Sequence, residues 1–227
     1  IEADALGMYK DVYNVYDQDA TAFALSSMLG GRKILNDNLA PMDGNRTALL
    51  TTDAAVKFMT DTKGLFQASD NIAKQYREGV VGKTAGFDVY ENTLLATHTT
   101  GTAAKTTGYL TNGATQSGAS ITVDTGTTSF LIGDVVTFAG VFRVHPETKV
   151  STGVLQQFVV TANSGTSATT LAISPAVVAT GATQNVSNTI ADNSAIVKVA
   201  AGASETMTNN LLFHKDAFAF ATADLVM

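Results

Sequence analysis

Charge falls away abruptly part-way along this chain, and that break divides what the two parts can become. Residues 1–91 carry 13 acidic and 9 basic side chains; residues 92–213 carry 5 acids (Asp124, Asp134, Glu147, Asp192, Glu205) and 4 bases (Lys105, Arg143, Lys149, Lys198). Thr, Ser, Ala and Gly fill the second part instead. A change this abrupt predicts a domain boundary near Thr97 to Gly101. The 227 residues suffice for one large domain or two modest ones with a real core.

The first part reads mostly as helix. Leu6, Tyr9, Val12, Tyr13 and Tyr16 recur at spacings of three and four, which predicts a helix with one apolar face. Asp17 or Asp19 is placed to cap a second helix through ATAFALSSML, ended by Gly30–Gly31 or continued past them. Pro41 and Gly44 predict a turn, and RTALLTT a short strand. Thr52 is placed to cap a helix over DAAVKFMTDTK, with Ala55, Phe58 and Met59 on one face and Gly64 as its stop. Ser69 is placed to cap another over DNIAKQYREG. VVGKTAGFDVYENTLL reads as one or two strands bent at Gly86.

The second part reads as strands. Its Val, Ile, Leu and Phe recur at strand spacing, so composition does not make it disordered. SITVD alternates, and GDVVTFAGV sets Val136 and Phe138 against Val135 and Thr137. VLQQFVVTA and TTLAIS form a hairpin around NSGTSA, with Pro175 ending its second strand. SAIVKVA is a further strand, and NLLFHKDAFAFATADLVM one long or two short ones. The expected fold class is α+β, with a small antiparallel barrel or sandwich in the second part.

Composition narrows function. There is no cysteine, hence no disulfide and no thiolate metal site. A net charge of −6 has the wrong sign for gripping nucleic acid. No run of 18 apolar residues is present to span a membrane, and no signal peptide is visible. The chain opens at Ile1 inside a helical pattern, which reads as a fragment.

His145 and Glu147, in 145-HPET-148, are the best general-base pair on offer. Pro146 between them favours a turn with Glu147 and Thr148 at its tip, and no third residue stands ready to orient the pair. His98, His145 and His214 are scattered and lack a local metal spacing. The glycine clusters lack the following Lys-Ser of a phosphate loop, and the acids lack the spacing of a calcium loop. NRT (45–47) and NVS (185–187) match the glycosylation pattern but read as ordinary turns. The expected catalytic, cofactor and metal residues are therefore none, and no cofactor is expected.

The order of motifs carries more. LNDNLAP, then DAAVKFMTDTKGLFQASDNIAKQYREGVVGKTAGFDVYENTLLATHT, then GDVVTFAGV, HPET, LQQFVVTA, LAISP and finally NLLFHKDAFAFATADL span nearly the whole chain. In this order they resemble the major capsid (coat) proteins of tailed bacteriophages, in the short-tailed branch whose coat protein carries an inserted β-barrel. The resemblance implies the Hong Kong phage capsid fold, with residues 1–16 a spine-helix remnant of the peripheral domain and 17–99 the axial domain. It makes 100–210 the inserted β-barrel domain and 211–227 the returning strands of the axial domain.

In such relatives a loop near the start of the insertion contacts the neighbouring capsomer. The matching segment here, TTGTAAKTTGYLTNGATQSG, has Lys105 as its single charge. The implied function is a non-enzymatic structural subunit of the icosahedral shell of a tailed phage or prophage, located in the virion capsid and assembled in the bacterial host cytoplasm. Its implied partners are other copies of itself in pentamers and hexamers, a scaffolding protein and a portal protein. The shell would enclose DNA without sequence-specific binding. Two other classes compete: a β-rich carbohydrate-binding or adhesion module, for which aromatic platforms are scarce, and a hydrolase using His145 and Glu147.

Overall fold

The computed structural model describes residues 7–17, 23–63 and 82–219. Leu6, Asp19, Gly64, the Ser69-capped helix and the chain beyond Ala219 lie outside these. Two compact units divide the chain: Phe23–Thr93 with Asn210–Met227, and Ile1–Ala22 with Leu94–Asn209. The described residues form two α-helices and twelve strands, so the chain is β-rich.

In chain order, α1 spans Leu25–Asp37, β1 Arg46–Leu50, α2 Thr52–Thr62, β2 Lys83–Thr84 and β3 Phe87–Glu91. Then come β4 Thr97–Thr99, β5 Thr106–Thr111, β6 Gly118–Asp124, β7 Val135–Val144 and β8 Ser151–Val160. The last are β9 Thr170–Val177, β10 Ala195–Lys198, β11 Thr206–Thr208 and β12 Leu211–His214.

The first unit is a four-stranded sheet in the order β12-β1-β3-β2. β1 pairs with β3 in parallel and with β12 antiparallel. Met28 of α1, Ala55 and Phe58 of α2, and Ala48, Leu50 and Phe87 of the sheet form its core. α1 continues past Gly30–Gly31. A Cβ on Gly31 would lie 3.0 Å from Leu212 Cδ2, so a glycine lets the helix lie close to β12.

The cap of α1 is not an aspartate. Ala24 holds the N-cap position, and its N–H donates to Ser27 Oγ at 3.0 Å. α2 begins one residue earlier than expected, with Thr51 Oγ1 accepting from Ala54 N–H at 3.3 Å. The β2–β3 turn places Ala85 and Gly86 at φ of 53° and 87°, the two-residue left-handed turn that matches strand twist. Arg46 is buried and explains the LNDNLAP segment before it. Its guanidinium donates to Asn36 Oδ1 at 2.7 Å and to the carbonyls of Ala40 at 2.6 Å and Pro41 at 2.9 Å.

The second unit is a closed, wholly antiparallel barrel in the order β10-β5-β6-β9-β8-β7, with β10 pairing β7 to close the ring. Alternation sends Tyr109, Ile121, Val123, Val136, Phe138, Phe158, Leu171, Ile173 and Ile196 inward. Phe138 and Phe158 meet edge to face with centroids 5.5 Å apart. Val135 and Thr137, on the opposite face of β7, are buried as well, so both faces of that strand are covered at its start.

Tyr109 fastens one end of the barrel. Its hydroxyl donates to the Thr128 carbonyl and accepts from Ala168 N–H at 3.1 Å. The ring lies so close to Gly126 that a Cβ there would sit 2.1 Å from it.

Two expectations fail here. Pro175 does not end β9, which runs on to Val177 across a register shift against β6. Asn185, from the NVS triplet, holds that extension by donating to the Ala176 carbonyl at 2.7 Å and accepting from Val178 N–H at 3.0 Å. Nor do residues 7–17 continue as a helix. Met8–Asp11 form a 3₁₀ turn, Val12 is extended, and no helix is formed from there to Asp17. The Gln157 side chain on β8 explains this. Its Oε1 accepts from Val15 N–H at 2.7 Å and its Nε2 donates to the Val15 carbonyl at 2.9 Å, so an amide side chain replaces helical main-chain partners.

Candidate functional site

The chain enters and leaves the barrel through a short paired stem, β4 against β11, with His98 opposite Met207. Buried polar groups converge there. Asp134, buried at 1% exposure, precedes β7 in a turn that carries Gly133 at φ 97°. Its Oδ2 accepts from Leu131 N–H and Gly101 N–H, each at 3.0 Å, and its Oδ1 lies 2.9 Å from His98 Nε2. A carboxylate accepts only, so Nε2 donates this bond, and Nδ1 is the ring's other nitrogen. Tyr9 Oη lies 3.3 Å from that Nδ1 and 3.3 Å from the Thr97 carbonyl oxygen.

Lys198 joins the group at the end of β10, where alternation turns it inward. It is fully buried, and its ammonium donates to the carbonyls of Ala103 and Gly202, both at 2.6 Å. Burial pulls its pKa down, while Asp134 and Glu205 oppose that shift. Gly101 is close-packed: a Cβ there would meet the Ser129 carbonyl oxygen at 2.2 Å.

Tyr9, His98 and Asp134 have the connectivity of a base and its orienter. The chemistry points elsewhere. His98 is itself buried, and burial raises the Tyr9 phenol above its ordinary pKa, making it a poorer nucleophile. The cluster is a clasp on the stem. In the sequence His98 is one of three scattered histidines, and Asp134 and Lys198 fall in strand segments. Only their shared burial, 36 and 64 residues apart in sequence, brings the three together.

The 145-HPET-148 segment is the turn between β7 and β8. The His145 ring is occupied by that turn, its Nδ1 accepting from the main-chain N–H groups of Glu147 at 3.3 Å and Thr148 at 3.4 Å. Glu147 is exposed at the tip. His145→Ala should therefore lower stability by less than about 1 kcal/mol, and Glu147→Ala by less still, the usual scale for loop positions. Denaturant unfolding of the two variants measures this, and a loss above about 2 kcal/mol for either would place the turn in a packed contact.

His214 ends β12 in the other unit. Its Nε2 lies 3.0 Å from Asp43 Oδ1, and its Nδ1 accepts from Asp216 N–H at 3.3 Å. Asn45, of the NRT triplet, holds Asp43 from the other side with its side-chain amide at 2.7 Å and its main-chain N–H at 3.0 Å. These bonds, with His214 adding to them, hold the Asp43 carboxyl well below the usual carboxylate range. The folded chain thus favours the ionised form. That stabilisation is complete above the ordinary aspartate pKa of about 3.9 and is lost as pH falls below it. Asp43→Asn should flatten the acid limb of a stability–pH curve, and an unchanged limb would show that Asp43 does not couple to folding.

The three histidines thus have separate partners, and no group of three metal-binding side chains gathers among the described residues. The segment expected as a contact loop is instead largely β5 and the turn after it, and Lys105 Nζ lies 3.4 Å from Asp17. Of the barrel's aromatic side chains, Tyr109, Phe130, Phe138 and Phe158 are buried in the core. Among the described residues no helix is long and apolar enough to cross a membrane.

No family model matches the chain, and no curated protein does. Among solved structures, the chain is similar to one described as the CUS-3 coat protein I-domain, with 27% sequence identity and a TM-score of 0.29. The match covers 44% of this chain and 93% of that one.

Proposed function

We propose that this chain is a structural subunit of a tailed-phage or prophage shell, its barrel an insertion in the coat protein and its small sheet part of the axial domain. One observation carries the reading. The chain leaves a sheet after β3, builds a closed barrel, and returns as β12 to pair with β1 of the same sheet. That is the wiring of a domain inserted into another. The motif order, from LNDNLAP to LLFHKDAF, supports it.

The partners in this reading are further copies of the chain in pentamers and hexamers, with scaffolding and portal proteins meeting the assembled shell. An acidic subunit encloses DNA without holding it to the wall. The histidines and acids serve folding, and no reaction is assigned to them. Expression of the complete gene product with its neighbouring genes, followed by electron microscopy, tests the proposal. Closed shells containing this chain are expected. A soluble monomer under those conditions, or retention on a glycan array, would overturn it in favour of a binding module.

A further inference from the structure

We propose that Asn112–Gly113, at the end of β5, is a latent site of spontaneous deamidation, and that Asp192 holds it closed. It is the one Asn–Gly pair in the sequence. The reaction needs only water. The Gly113 main-chain nitrogen loses its proton and attacks the side-chain amide carbon of Asn112. A C–N bond forms, ammonia leaves, and a five-membered succinimide results. Water then opens the ring at one carbonyl or the other, giving aspartate or isoaspartate.

The site has what the ring closure requires. Gly113 has no Cβ to obstruct attack, and its surroundings are open. Asn112 is exposed, and its side-chain amide makes no hydrogen bond among the described residues, so it can swing toward the nitrogen.

Asp192 opposes the first step. Its Oδ1 accepts the Gly113 N–H at 2.7 Å, the bond that must be lost for attack. A carboxylate there makes the amide anion harder to form, because it would set two negative charges side by side. It also occupies the N–H direction, along which the new ring bond must grow. The guard is itself rigid. Asn193 N–H donates to the Thr111 carbonyl at 2.8 Å, and Thr111 Oγ1 donates to the Ala191 carbonyl at 2.7 Å. Asn193 Nδ2 steadies the other Asp192 oxygen at 2.9 Å.

Opening the guard would be self-reinforcing. Either product puts a new carboxylate beside Asp192, and isoaspartate adds a methylene to the main chain where β5 meets β6. A chain that lost this guard would age in place.

The test is peptide mapping of the full chain after incubation at neutral pH, with isoaspartate and the mass gain of an amide-to-acid exchange at Asn112 as readouts. The folded wild-type chain should react at least about tenfold more slowly than the same chain in denaturant, and Asp192→Ala should restore about that factor in the folded state, as expected for losing one hydrogen bond to a charged acceptor. Equal rates for folded and unfolded wild type would overturn the latency, and an Asp192→Ala rate equal to the folded wild type would overturn the guard. Should Asp192→Ala fail to fold, Asp192→Asn keeps an acceptor and drops the charge. Acceleration in that variant supports the proposal, and a wild-type rate refutes it.

Discussion

Asp134→Ala should destabilise the barrel unit by roughly 3–5 kcal/mol in denaturant unfolding, the range seen when one partner is removed from a buried charged group. The side chain is fully enclosed and accepts from two main-chain amides and His98. Without it, those donors stay buried with no acceptor, and the Lys198 ammonium loses the nearest buried anion acting on it. Lys198→Met separates two accounts of the cluster. Asp134 keeps its three donors in that variant, and the carbonyls of Ala103 and Gly202 lose one, so the expected loss is about 1–3 kcal/mol. Equal losses for both variants would mean that the attraction between the two buried charges dominates. A loss below about 1 kcal/mol for Asp134→Ala would mean that water reaches the site.

Phe138→Ala should cost about 3–5 kcal/mol by calorimetry or denaturant unfolding, as large-to-small changes of buried aromatics do. The ring is wholly buried on β7, edge-on to Phe158. β7 is paired on both sides, to β8 and β10, so the main chain cannot easily move inward to fill the space. Phe142→Ala is the internal comparison. That ring lies beyond Gly140 (φ 79°), where the pairing with β8 shifts register, and is only partly buried, so its loss should be clearly smaller. Similar losses at the two positions would show that Phe142 is packed as fully as Phe138.

The barrel strands were legible because alternation depends only on neighbours: in β6, β9 and β10 the inward residues Ile121, Leu171 and Ile196 stand out by spacing alone. What failed was set from a distance. The spacing of Tyr9, Val12, Tyr13 and Tyr16 fits a helix, yet Gln157, 142 positions beyond Val15, takes the main-chain groups of Val15 that a helix would use. Pro175 is an ordinary strand terminator until Asn185 supplies partners beyond it. Asp17 looked like a helix cap, but the helix starts at Leu25 and borrows Ser27. The HPET turn was read correctly as a turn because Pro146 and its polar neighbours act locally. The stem clasp was invisible because His98, Asp134 and Lys198 each fit a dull local reading, and only closure of the barrel makes them neighbours.

The pairing of β4 with β11 has an entropic consequence. Thr97 lies opposite Thr208 and Thr99 opposite Thr206, so the long excursion from Leu94 to Asn209 begins and ends at one place. An unstructured excursion of that length would have to be gathered up when β12 pairs with β1. Chain statistics make the difference between such a loop and a connection of about six residues roughly 2–3 kcal/mol. Once the stem has zipped, the end of β3 and the start of β12 are joined through what is in effect a short connection, so that with β1 already paired to β3 the last strand reaches β1 at nearly the rate of a local one. The order of events then matters: a chain whose barrel folds first closes the sheet cheaply, and one whose stem is broken must search for its last strand.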